Sequence, residues 1–137
     1  TDMTENGVAV QQWEAHGGDN QLFRFESAGN GYYRIIAKHS EKGLDVTGGT
    51  CANQNGTGIQ QWQNGNHSNQ LFKLVDQGNG YFMLVAKHSG KAIDVYAAED
   101  DNGPRVVQYE PTGNDNQLFR LVAVNELEEA APTGVEY

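Results

Sequence analysis

Apolar and polar residues alternate along this chain in short runs, and the runs recur. From Gln21 to Glu26, Phe23 and Phe25 fall on one side while Arg24 and Glu26 fall on the other, the period of two expected of a half-buried strand. Tyr32 to Lys38 (YYRIIAK) sets Tyr33, Ile35 and Ala37 on one side, and Tyr81 to Lys87 (YFMLVAK) matches it position by position. Leu44-Asp45-Val46 and Ile93-Asp94-Val95 are shorter strands whose apolar residues flank a carboxylate. Further strands are predicted at Val8 to Trp13, Ile59 to Trp62, Leu71 to Val75, Val106 to Tyr109 and Leu118 to Val122. Turn residues punctuate them, notably Asn6-Gly7, Gly29-Asn30-Gly31 and Gly78-Asn79-Gly80.

The order of elements is itself repeated. VQQWEAHGGDNQLF (Val10 to Phe23), IQQWQNGNHSNQLF (Ile59 to Phe72) and VVQYEPTGNDNQLF (Val106 to Phe119) share one pattern. Gln21, Gln70 and Gln117 each open a Gln-Leu-Phe triplet, at a step of about fifty residues. A unit of that size cannot bury its own apolar face and must stack on its neighbours. The boundaries place a domain at 1–124, with repeats at about 1–28, 29–77 and 78–124. The second and third repeats each hold four short strands. The first lacks its opening strands, roughly twenty residues by alignment on the others. Residues 125–137 leave the pattern and read as a linker or C-terminal tail. Open strand edges and an unfilled core are costly. Either the domain starts upstream, or the tail from Leu127 to Tyr137 or a neighbouring chain covers the breach.

Composition narrows the classes. The chain of 137 residues, 37% hydrophobic, can bury one modest core. Its mean hydropathy of -0.66 and short apolar runs exclude a membrane-spanning helix. With 18 acidic residues against 9 Lys plus Arg, the net charge is -9, which repels nucleic-acid phosphates and anionic membrane surfaces. The 17 glycines, with many Asn and Gln, favour tight turns over helices. Cys51 has no internal partner and says nothing of compartment. No Ser/Cys–His arrangement, metal motif or phosphate loop is present, and no cofactor is implied. Asp45 and Asp94 hold equivalent places in different repeats, so pseudo-symmetry keeps them too far apart for glycosidase chemistry. Glu99-Asp100-Asp101-Asn102-Gly103 lacks the spacing and closing Glu of a calcium loop and reads as a solvated acidic turn. His39 and His88, in matching hairpin turns, read as structural.

Regularly spaced short strands with Gly-rich turns mean an all-β sandwich or barrel, and periodicity does not choose between them. The residues do, by resemblance. Three Gln-x-Phe triplets closing four-strand units resemble the Gln-x-Trp signature of ricin-B-type lectin domains. The AKHS-x-K-x-Leu/Ile-Asp-Val and QQW segments are similar to bacterial members that serve as carbohydrate-binding modules of secreted glycoside hydrolases. The resemblance runs from about Val8 to Val122. It implies a β-trefoil, three four-stranded units about a pseudo-threefold axis. It also implies a secreted, non-catalytic module that brings a covalently linked catalytic domain to a polysaccharide or glycan of galactose, arabinose or xylose type. Phe stands for Trp in every triplet, a smaller plug for the same core role, and the disulfide some members carry beside Leu-Asp-Val is absent. The alternative is a structural or protein-interaction trefoil whose sugar pockets have decayed.

In the family the sugar stacks on an aromatic at the Trp62 position and hydrogen-bonds the carboxylate at Asp45. Asn69 completes the pocket, and Gln70 orients the carboxylate. Stacking needs a flat apolar face beside a few fixed polar groups. Strand alternation supplies one if Ile59 and Gln61 face inward and Gln60 and Trp62 outward. The second repeat has the full set: Asp45, Gln60, Trp62, Asn69 and Gln70. The third keeps Asp94, Tyr109, Asn116 and Gln117 but puts Val107 in the place of Gln60. The first has Gln11, Trp13, Asn20 and Gln21 without a Leu-Asp-Val segment. The sites therefore rank second, third, first. Plainer readings stand beside these: Trp62 packed in the core, and Asp45 and Asp94 bonding only loop amides. Phe23, Phe72 and Phe119 read as core, and an inward Gln61 needs hydrogen-bond partners.

Overall fold

The computed structural model describes residues 8–9, 23–38, 40–96, 105–123 and 133–136. Its strands are β1 (Val8–Ala9), β2 (Phe23–Gly29), β3 (Tyr32–Ala37), β4 (Gly43–Val46), β5 (Ile59–Trp62), β6 (Phe72–Gly78), β7 (Tyr81–Ala86), β8 (Ala92–Tyr96), β9 (Arg105–Tyr109), β10 (Phe119–Ala123) and β11 (Thr133–Glu136). The helical segments among the described residues are three single 3-10 turns, at Gly49–Cys51, Ser68–Gln70 and Asp115–Gln117.

Hairpins β2–β3 and β6–β7 have the same register, with Phe23 opposite Ala37 and Phe72 opposite Ala86. Each turns through Gly-Asn-Gly with three successive positive φ angles, 87, 57 and 83° at Gly29 to Gly31 and 88, 57 and 85° at Gly78 to Gly80. Glycine and asparagine are the residues that visit this left-handed region at least cost. β3 then pairs with β6 at Tyr33–Phe72, and β7 with β10 at Phe82–Phe119. β11 pairs with β10 and lies beside β2, where the ring of hairpins closes. The two remaining hairpins, β4–β5 and β8–β9, place Asp45 opposite Gln60 and Asp94 opposite Val107. The architecture is a β-trefoil with pseudo-threefold repeated strand topology.

β11 lies in the C-terminal stretch, within the tail that could cover the breach in the first repeat. Leu121 faces Val135 in the register in which Leu74 faces Leu84. β11 thus holds the place of β3 and β7, the place of the opening strand missing from the first repeat. The physical reason is the free edge of β10, whose backbone donors and acceptors need a partner. Among the described residues no strand takes the place of that repeat's missing Leu-Asp-Val strand.

Phe23, Phe72 and Phe119 are buried (5%, 1% and 3% exposed) and join one cluster with Ile35, Leu44, Val46, Ile59, Leu84, Ile93 and Val106. Ile36 is as buried as Ile35, so β3 has no solvent face there. On β2–β3, Arg34 holds Glu26 in an ion pair at 2.6 Å. That hydrogen bond keeps the Glu26 carboxyl below the usual carboxylate range, and a bond from Arg24 to Glu41 at 2.8 Å raises the Arg24 guanidinium.

Candidate functional site

β4 and β5 build the second-repeat site. Ile59 and Gln61 are buried, Gln60 is half-buried and Trp62 is 44% exposed, the alternation a strand imposes. Beside Trp62 lies Asp45, which is 5% exposed. Two side-chain amides hold it: Gln60 Nε2 donates to Oδ1 at 3.0 Å and Gln70 Nε2 to Oδ2 at 2.8 Å. Gln70 is fixed in turn, donating to the Gln63 carbonyl at 3.0 Å and accepting from Gly65 N–H at 2.8 Å. A carboxylate has about four lone-pair positions, so two amide donors leave acceptor capacity for an incoming hydroxyl. Asn69 is buried, and its Nδ2 donates to the Val46 carbonyl at 3.1 Å.

The cleft over this group is about 560 Å³, within the range of small-ligand sites. Its far wall is the loop after β4: Thr47, Gly48, Gly49 and Thr50, with His67 from the next loop. Gly48 and Gly49 have φ of 98 and 83°, and a Cβ at Gly48 would come within 3.2 Å of Ala52. Glycine is required there, and at these two positions the wall is backbone, between Thr47 and Thr50. These wall residues were not in the sequence-derived set; the loop's position directly after Leu-Asp-Val was the available signal.

The third-repeat site follows the same plan with different partners. Asp94 is 4% exposed and Tyr109 41%. Gln117 Nε2 donates to Asp94 Oδ2 at 3.0 Å and to the Glu110 carbonyl at 2.9 Å. Its Oε1 accepts from Thr112 and Gly113 N–H at 2.8 and 3.2 Å. Val107 is buried (6%) and offers no donor, and Asn116, which is exposed, donates to Asp94 Oδ1 at 2.7 Å instead.

The inward glutamines are satisfied. Ser40 Oγ donates to Gln61 Oε1 at 2.6 Å, and Ser89 Oγ to Gln108 Oε1 at 2.8 Å. The same serines cap their turns, accepting from Lys42 and Lys91 N–H. Gln108 Nε2 donates to the carbonyls of Ala52 and Gln54, both at 2.9 Å. His88 Nε2 also lies 2.7 Å from the Ala52 carbonyl; a carbonyl only accepts, so Nε2 carries the proton. The first-repeat candidates Gln11, Trp13, Asn20 and Gln21 lie outside the described residues, as do His39 and the acidic stretch at 97–104. Among the described residues there is no group of three or more His, Cys, Asp or Glu arranged to hold a metal ion. No helix among them is long and apolar enough to cross a membrane.

A family model described as ricin-type beta-trefoil lectin domain-like matches residues 1–62, 50–109 and 68–130, overlapping segments that together take in nearly the whole chain. The chain belongs to the ricin-type β-trefoil lectin-like family. Solved structures agree with this family assignment. A designed threefold-symmetric protein, ThreeFoil, superposes with a TM-score of 0.80 at 44% identity, over 87% of this chain and 84% of that one. An exo-β-1,3-galactanase from Clostridium thermocellum gives 0.77 at 30% identity, over 87% of this chain but only 25% of the enzyme. A lectin from Polyporus squamosus shares the fold at 20% identity, with a TM-score of 0.59 over 70% of this chain and 33% of that one. No curated protein matches the chain. Membership in this ricin-type family carries a lectin-like trefoil.

Proposed function

We propose that this ricin-type trefoil is a non-catalytic carbohydrate-binding module, acting outside the cell and bringing an attached catalytic domain to a polysaccharide. The observation that carries the reading is the pairing of exposed Trp62 with buried, amide-clamped Asp45 in one cleft. An aromatic face offers the C–H side of a sugar ring a place to stack, and a fixed carboxylate accepts from its hydroxyls. Gln60 and Asn69 sit within the same cleft, while Gln70 orients Asp45. Asp94, Tyr109, Asn116 and Gln117 form a second, poorer site, and the repeated sequence motif offers Gln11, Trp13, Asn20 and Gln21 for a third. Likeness to a quarter of an exo-β-1,3-galactanase supports a galactose-type target and an accessory role beside a hydrolase. Single shallow sites bind weakly, and repetition raises effective concentration at a polymer surface.

Affinity electrophoresis through gels containing galactan, arabinan or xylan tests the proposal, with the Asp45→Asn variant run alongside. At least one polysaccharide should retard the protein, and Asp45→Asn should lose ~1.5–3 kcal/mol of binding. Its fold should survive, because Gln60 can turn its own amide to meet the new one while Gln70 stays fixed. Unretarded migration through all three gels would leave the structural or protein-interaction trefoil as the function.

A further inference from the structure

We propose that the third-repeat site is composite: Asn55, carried by the second repeat, donates its side-chain amide to the sugar that stacks on Tyr109. This rests on the carbohydrate reading above and goes beyond it in giving one repeat's site a residue from another. Asn55 Oδ1 accepts from the Glu110 N–H at 3.0 Å, one residue past the Tyr109 platform. Which way the amide faces is therefore fixed by chemistry, since a backbone N–H can meet only an acceptor. Nδ2 points away from that contact, and Asn55 is exposed.

The loop that carries it is clamped to β9. Gln108 holds the carbonyls of Ala52 and Gln54, Gly56 N–H donates to the Gln108 carbonyl, and Gln108 N–H donates to the Thr57 carbonyl, the last two at 2.8 Å. Gly58 then bridges to Val107. A donor held by a clamped loop loses little freedom on binding. The Glu110 peptide is gripped at N–H by Asn55 and at C=O by Gln117, which also holds Asp94. The donor and the carboxylate thus end one continuous chain of hydrogen bonds. Val107 has no group to offer a hydroxyl, and Asn55 supplies the one that is missing. An Asn-Gly pair stands at the same spacing before Val10, Ile59 and Val106 in the sequence; Asn55 is the member within the described residues.

The test uses the Trp62→Ala variant, which silences the second-repeat site, titrated in turn with galacto-, arabino- and xylo-oligosaccharides. NMR signals of the Tyr109 ring and the Glu110 amide report the third site. Added Asn55→Ala and added Asn55→Asp should each weaken binding there about tenfold, as loss of one good hydrogen bond does. Asn55→Asp keeps an acceptor for Glu110 N–H, so in that variant amide exchange at Glu110 should stay slow although affinity falls. Recovery of affinity in Asn55→Asp would show Asn55 to be a brace only and overturn the inference. Sugar that moves signals around Trp62 in the unsubstituted protein but never those of Tyr109 overturns it too, leaving the proposed function intact. Sugar that moves neither overturns both.

Discussion

The second- and third-repeat pockets differ in how one buried carboxylate finds its donors. In both, a glutamine from the Gln-Leu-Phe triplet holds Oδ2, and backbone N–H groups fix that glutamine in turn. Oδ1 is served differently. Gln60 reaches across from β5 to Asp45, so Asn69 is free to hold the Val46 carbonyl. Val107 cannot reach for Asp94, and Asn116 makes the contact instead. A buried carboxylate is costly unless hydrogen-bonded, so whichever neighbour has a donor is recruited. Aligned residues of the same type therefore do different work, and Asn116 spends on its own repeat's carboxylate a donor that Asn69 spends on the backbone.

The largest expected effect concerns what the two repeats share. Phe72→Ala and Phe119→Ala should each cost ~3–5 kcal/mol, the loss for truncating a buried aromatic, read from urea denaturation. Near-equal losses sharpen the threefold equivalence, and a wide gap between them breaks it. Next comes the platform. Trp62→Ala should cost ~2–4 kcal/mol of sugar binding, the scale of an aromatic anchor, with little change in stability. Tyr109→Ala should cost less in the same calorimetric titration. Reversed losses would put the better site in the third repeat.

Much of this was legible in the residues. Strand alternation through Ile59-Gln60-Gln61-Trp62 sorts the four side chains correctly, because a period of two leaves no other arrangement once Ile59 is inside. The three Phe residues announce the core by recurrence. The partners of Gln61 and Gln108 were not legible. Ser40 and Ser89 come from the preceding hairpin turns, and the far side of Gln108 rests on loop carbonyls distant in sequence. Nor was the split between Asn69 and Asn116 visible, since it follows from the Gln60 and Val107 neighbours rather than from either Asn. The tail was legible as one candidate to cover the breach in the first repeat, but not as a strand, because the segment is rich in Glu, Ala and Pro. Its place is set by the unpaired edge of β10, a property of the assembled ring and not of the segment.

A smaller effect would narrow the difference between pockets. Val107→Gln should supply a donor to Asp94, release Asn116, and improve third-site affinity by ~0.5–1.5 kcal/mol, again by calorimetry. No gain would mean that the neighbouring backbone, not the missing amide, limits that pocket. Smallest is an acid effect separating the two hairpins. Glu26 faces Arg34 on β2–β3 where Val75 faces Met83 on β6–β7. The depressed Glu26 carboxyl contributes stability that is full above its unfolded value of about 4.3 and fades as pH falls through the lower folded value. With a side chain 39% exposed, the effect should stay below ~1 kcal/mol. Glu26→Gln should flatten the difference in stability measured between neutral and strongly acidic solution.

The placement of β11 also bears on how the protein is made. Until that segment leaves the ribosome, β10 lacks the strand that pairs with its second edge and presents a bare row of N–H and C=O groups, and β2 lacks the neighbour that lies beside it. β2 waits longest, since it is synthesised early and its neighbour in the ring is the last strand described. Contacts so distant in sequence form slowly. An unfinished chain with open edges is a template for pairing with its own copies. Yield during expression should therefore depend on the integrity of the last strand, well before any pocket is tested.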